Sequence, residues 1–342
     1  MKKIIPGWEH LPGIHCGSVS IRDVVNFYGI QLSEPMCFGL GAGLGFFYIV
    51  DENMSPSRNI HVRGPEMEPN FFSLFMDDFF WKFDDDNENA LDTLLSFLSR
   101  GIPVILQTDI YYLKYYNSGT HFPGHVVVAC GFDDMSKSVF LSDTGYGELQ
   151  QVSYDELASS RCSKAVPYPL RNNWLAVERL SGNNLKRLIP GAVMKNAQNM
   201  LDGVSSLRGN SGVENIRILS SDLPEWINAT DWKWSARYSY QVIQKRGTCG
   251  AGFRWMYRDF LKESESTTGN GYFGHLAADM DRIGSSWFEI SNKFKIISEM
   301  KSPDSSLKEL AVLTYNLYQM EKDFYIDVIE ILNREDHEVT AF

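Results

Sequence analysis

The chain has no Cys-x-x-Cys pair, no long run of Lys or Arg, and nothing approaching the roughly 18 uninterrupted apolar residues of a membrane helix. Each absence excludes a class. Without paired spacings, the five cysteines (Cys16, Cys37, Cys130, Cys162, Cys249) read as scattered reduced thiols of a cytoplasmic protein, not as a disulfide framework. Without a basic run, and with 32 Lys and Arg against 43 Asp and Glu (net charge −11), neither nucleic acid nor an anionic membrane surface is an expected partner. The opening Met1-Lys2-Lys3-Ile4-Ile5 breaks at Pro6-Gly7, so the apolar core of a secretory signal is missing. A Gly-x-Ser-x-Gly elbow is missing too, which removes the commonest serine-hydrolase signature.

A glycine-rich stretch, Gly39-Leu40-Gly41-Ala42-Gly43-Leu44-Gly45, lacks the Lys-Ser/Thr pair of a phosphate-binding loop and runs into the strand-like Phe46-Phe47-Tyr48-Ile49-Val50. Its glycines are expected to let backbone pass close to the helix carrying Cys16.

What is present is 342 residues at 44% hydrophobic, enough for a full core and better suited to two domains than one. Val19, Val24, Val25 and Tyr28 form one apolar helical face after Cys16, with Gly29 as a stop, so Cys16 opens a helix. Asn87 is a candidate cap for a helix bearing Leu91, Leu94, Leu95 and Leu98, and a strand follows over 102–109. His125–Phe132 reads as a fully buried strand, Asp133–Lys137 as a turn and Ser138–Asp143 as the returning strand. A turn centred near Asp134 would put His125 directly opposite Asp143. Ser153-Tyr154-Asp155-Glu156 is a capping box, and Trp174–Leu180 a further strand. Beyond Ser181-Gly182-Asn183-Asn184 nearly everything reads as helix: 185–202, 213–228, 233–245, 250–264, 275–300 and 305–334. The expected organisation is an α+β domain over 1–182 followed by an all-helical domain over 183–342.

A thiol at a helix start, then a strand His, then a strand Asp, is the order of papain-like cysteine enzymes. The helix N-terminus favours the thiolate of Cys16, His125 would shuttle its proton, and Asp143 would orient the imidazole. The Cys16 N–H is one oxyanion donor, and His10, six residues upstream where papain-like enzymes place a donor, is a second candidate, with a plain surface histidine as the alternative. His15 could pair with the thiol instead, although neighbouring side chains point apart on a regular element. His121 and His125, four apart, would face one metal only on a helix, and Pro123-Gly124 intervene, so no metal is expected.

The contexts His15-Cys16-Gly17-Ser18, Leu32-Ser33-Glu34-Pro35-Met36-Cys37-Phe38-Gly39-Leu40-Gly41, Gly124-His125-Val126-Val127-Val128 and Ser142-Asp143 resemble the N-terminal family of butirosin biosynthesis protein H. Gly247-Thr248-Cys249-Gly250-Ala251-Gly252-Phe253-Arg254-Trp255-Met256-Tyr257-Arg258 resembles the helical domain of unknown function that accompanies it. The resemblance implies a papain-like fold and an aminoacyl transfer from an acyl carrier protein thioester to an amine-bearing small molecule. No cofactor is implied beyond the phosphopantetheine of that donor. Arg254, Tyr257 and Arg258 are candidates to line a cleft facing Cys16 and touch the phosphopantetheine phosphate, against the plainer reading of a solvated or packing helix face. A cysteine peptidase or amidase and a non-catalytic binding protein are the rival readings, and a homo-oligomer is left open.

Overall fold

The computed structural model describes residues 2–76, 79–166, 168–180, 184–204, 207 and 209–340, the last six by backbone alone. Its elements are β1 (Lys2–Ile4), α1 (Cys16–Phe27), α2 (Glu34–Leu40), β2 (Leu44–Val50), β3 (Arg58–Arg63), α3 (Met67–Ser73), α4 (Asn87–Ser99), β4 (Val104–Thr108), β5 (His125–Asp133), β6 (Ser138–Ser142), β7 (Gln150–Ser153), α5 (Tyr154–Arg161) and β8 (Trp174–Ala176). The helices α6 (Leu185–Asp202), α7 (Val213–Asp222), α8 (Trp232–Gln244), α9 (Arg254–Thr268), α10 (Tyr272–Glu299) and α11 (Asp304–Thr340) complete it. The N-terminal region is rich in sheet and the C-terminal region helical. Among the described residues no helix is long and apolar enough to cross a membrane.

The chain divides into two compact units, Met1–Cys37 with Glu68–Asn183, and Phe38–Met67 with Asn184–Phe342. The expected boundary at 182/183 lies outside the described residues. Residues 38–67, expected in the first domain, pack within the second unit.

In the first unit an antiparallel sheet runs in the order β7-β6-β5-β4-β8, and β1 pairs with the far half of β5. Leu94 and Leu98 of α4, Leu157 of α5, Val104 and Leu106 of β4 and Val127 and Ala129 of β5 share one core. Full burial of each such leucine contributes about 1.5–3 kcal/mol. The cap of α4 is Asp86, not Asn87: its carboxylate accepts from the N–H groups of Glu88 and Asn89 at 2.9 Å each. The Ser153 cap of α5 is as expected, accepting from Glu156 N–H.

The β5–β6 hairpin differs from its expected register. Asp133 pairs with Ser138, Phe132 with Val139 and Gly131 with Phe140, and then the register shifts so that Ala129 faces Leu141 and Val128 faces Ser142. Cys130 is the extra residue of that bulge. Its effect is one of parity. A one-residue shift exchanges the two faces of a strand, so without it Asp143, just past β6, would continue on the face opposite His125. With it, Asp143 falls level with Val127, on the face of His125 two residues away.

The second unit holds the β2–β3 hairpin and α6–α11, with α10 packed on α8, α9 and α11, and α11 on α6 and α7. The glycine-rich stretch serves this unit rather than the Cys16 helix. A Cβ on Gly39 would lie 2.1 Å from the ring of Phe260, and one on Gly45 2.6 Å from the backbone of Arg63 and Gly64. Close packing within the helical unit is what requires glycine there.

Candidate active site

Cys16 is the first residue of α1, and its N–H is one of the donors without an intrahelical acceptor. His15 caps the helix in extended conformation, its Nδ1 accepting from the Ser18 N–H at 3.2 Å. The loop before the thiol is held by Glu34, a buried carboxylate that accepts from the N–H of Ile14 (3.0 Å), the N–H of His15 (2.7 Å) and the Ser18 hydroxyl (3.0 Å). Cys16 as a residue is half-buried.

His125 is the first residue of β5 and Asp143 follows β6 directly. The His125 Nε2 lies 2.9 Å from Asp143 Oδ1 and 3.0 Å from Oδ2. Its Nδ1 is thereby the ring nitrogen left for Cys16, and the two side chains stand near enough for each to shift the other's ionisation. The Tyr115 hydroxyl donates to Asp143 Oδ2 at 2.7 Å and the Tyr116 hydroxyl to Oδ1 at 3.1 Å, so both carboxylate oxygens are bonded twice. Burial and the neighbouring carboxylate push both phenols up, which keeps them as donors.

These contacts set the ionisation of the site. Burial alone would raise the Cys16 thiol, but the imidazoles of His15 and His125 beside it bring it well below its ordinary value. For His125, burial disfavours the charged ring, yet the facing Asp143 and Cys16 push it up to about 10. Burial would likewise raise Asp143, while His125 and the two tyrosine hydroxyls hold it below the usual carboxylate range. The arrangement favours a thiolate–imidazolium pair backed by a carboxylate, which is the resting form of a cysteine nucleophile.

Of the two readings of His15, the structure favours influence on the thiol: its imidazole stands near enough to lower the Cys16 pKa, while its Nδ1 is engaged by Ser18. The chain turns from extended at the cap to helical at Cys16, where the alternation of a regular element does not apply.

The oxyanion reading of His10 is corrected. Its Nδ1 lies 2.5 Å from Asp23 Oδ2, and its Nε2 lies 3.1 Å from the Asp143 carbonyl and 2.8 Å from that of Tyr146. Both nitrogens are spent on acceptors, so the ring offers no free N–H to an oxyanion.

Arg254, Tyr257 and Arg258 sit in the second unit and are consumed by its packing. Arg254 is wholly buried, donating to both Glu321 oxygens at 2.8 and 3.0 Å and to the Gly252 carbonyl at 2.8 Å. Tyr257 is buried in the core, and Arg258 is paired with Asp259 and Asp281. None presents a free cation for a phosphate. His121 is bonded to Asp109 at 2.7 Å instead of sharing a ligand with His125, and no metal-ligand cluster occurs among the described residues.

Sequence reasoning missed Tyr115, Tyr116 and Glu34. The tyrosine-dense Tyr111-Tyr112-Leu113-Lys114-Tyr115-Tyr116 was a usable signal ahead of the histidine, because buried phenols need acceptors. Glu34 gave none.

The model of "butirosin biosynthesis protein H, N-terminal" matches residues 15–144, a span that holds Cys16, His125 and Asp143. The model of "domain of unknown function (DUF4872)" matches residues 155–328, half of the chain. No curated protein matches the chain. With both models matched in this order, the chain belongs to the family in which the N-terminal domain of butirosin biosynthesis protein H is followed by DUF4872.

Proposed function

We propose that the protein is a biosynthetic enzyme, a cysteine-dependent acyltransferase of the kind used in antibiotic or other secondary-metabolite assembly, with a papain-like catalytic domain. The donor is the phosphopantetheine thioester of an acyl carrier protein and the acceptor a small amine. The observation that carries this reading is the helix-start thiol of Cys16 paired with a His125 that Asp143 holds at 2.9 Å.

The Cys16 thiolate attacks the thioester carbonyl, and the developing oxyanion is met by the Cys16 N–H at the positive end of α1. The carrier thiolate leaves with the proton of His125, giving an acyl-Cys16 thioester in a nearly isoenergetic exchange. An incoming neutral amine then attacks that carbonyl and passes its proton to His125. The bond to Cys16 breaks, the amide departs and the thiolate–imidazolium pair is restored. Asp143 keeps the His125 Nε2 proton fixed, so Nδ1 handles both transfers. The acidic protein favours a cationic acceptor approaching by long-range attraction.

The test is the fate of a preformed acyl-enzyme. Faster discharge by primary amines than by water, with an amide product in mass spectrometry, is the expected result. Discharge by water alone would replace the transferase with an amidase or peptidase.

A further inference from the structure

Residues 143–146 carry the acid of the triad, and three of their four carbonyls are bonded to the segment leading into the nucleophile. The Gly13 N–H donates to the Thr144 carbonyl at 3.0 Å. The His10 Nε2 reaches the carbonyls of Asp143 and Tyr146 at 3.1 and 2.8 Å. Its Nδ1 reaches Asp23, which stands on α1 seven residues beyond Cys16, or two helical turns.

Every atom facing the His10 nitrogens is an acceptor. A carbonyl or carboxylate oxygen has no proton to give, so both nitrogens must donate and the ring is an imidazolium. Its surroundings fit a charged ring. The side chain is 4% exposed, its counter-ion Asp23 is 2% exposed, and the Arg22 guanidinium donates to the other Asp23 oxygen at 2.8 Å and to the Leu11 carbonyl. Burial would lower the pKa of His10, yet Asp23 and the two carbonyls raise it above that of a free histidine.

We propose that the buried His10 imidazolium is a positioning residue that registers Asp143 to the helix of Cys16, and through Asp143 and His125 keeps Cys16 in its reactive thiolate form. The charge at His10 pulls on the loop through two carbonyls and on α1 through Asp23, tying both ends of the triad to one ring. The groups facing it are Asp23 on α1, with Arg22 behind it, and the Asp143 and Tyr146 carbonyls of the loop. Loss of the charge frees the Asp143 backbone, weakens its hold on His125 and lets Cys16 reprotonate. The inference rests on the proposed cysteine site but not on the acyl chemistry.

The experiment is the pH dependence of Cys16 alkylation by iodoacetamide in the full chain, which needs no substrate. In His10→Gln, which keeps one donor but no charge, the rate at neutral pH should fall about tenfold, and the acidic limb of the profile should move to higher pH. Asp23→Asn should move it the same way. A purely structural role would lower the melting temperature of both variants and leave the profile of the folded protein in place, and that result would overturn the proposal. Unreactive Cys16 in the wild type would overturn the cysteine site together with it. Should neither variant fold, 15N imidazole NMR of the wild type decides, with the ring identified by its contacts to Asp23 and Tyr146. Both nitrogens protonated at neutral pH is the expected state; one bare nitrogen overturns the proposal.

Discussion

The buried pairs Arg254–Glu321 of the second unit and His125–Asp143 of the first use the same chemistry to opposite ends. In the second unit Arg254 and Glu321 are both 0% exposed, and Glu321 also accepts from the Trp287 indole at 2.5 Å, so the charges satisfy each other completely. In the first unit His125 and Asp143 are as well paired, but the other nitrogen of the histidine is left for the thiol of Cys16. A guanidinium holds its proton throughout and suits a permanent tie, whereas an imidazole can give one up. The comparison separates an architectural pair from a working one by whether a reactive group is attached.

Breaking each pair should therefore read out differently. The largest effect belongs to Asp143→Asn, which places an amide against Nε2 and favours the wrong tautomer. It should cut the acylation rate about ten-thousand-fold, measured by the appearance of acyl-enzyme. The pH profile sharpens the same point. Because Cys16 is held low, acylation should fall as pH drops through the lower step of the Cys16–His125 pair. Because His125 is pushed up to about 10, acylation should fall again as pH rises through that value and the leaving group loses its proton donor.

Arg254→Met leaves Glu321 charged and unpaired in the core. It should cost about 3–5 kcal/mol in urea denaturation, while alkylation of Cys16 in the folded protein stays at the wild-type rate. Replacing both partners by Met and Leu should restore most of that loss. A smaller effect, about 1–3 kcal/mol from overpacking, is expected for Gly39→Ala against the Phe260 ring, again without change at Cys16. The smallest is Asp86→Ala, about 1 kcal/mol for the lost α4 cap.

Local signals were legible in the sequence. The α6 range was readable to the residue, the Cys16 helix start and the Ser153 cap were correct, and His125 and Asp143 were found as partners. What escaped was decided at long range. The bulge at Cys130 changes the hairpin register without a mark in composition. The glycines of 39–45 answer to Phe260 and Arg63, and Arg254 answers to Glu321, 67 positions away. For Arg254, Tyr257 and Arg258 the plainer reading of a packing face was the right one, and which carboxylate each guanidinium would meet is not written in the sequence. His10 was singled out for its distance from Cys16, but its role is set by carbonyls more than 130 residues further on.

The central claim, that Cys16 is the acyl-accepting nucleophile, is tested most directly by intact-protein mass spectrometry. Wild type and Cys16→Ala are mixed separately with simple acyl thioesters at neutral pH. A single acyl adduct on the wild type, absent from Cys16→Ala, is predicted. No adduct on the wild type, or one that persists in Cys16→Ala, would contradict it.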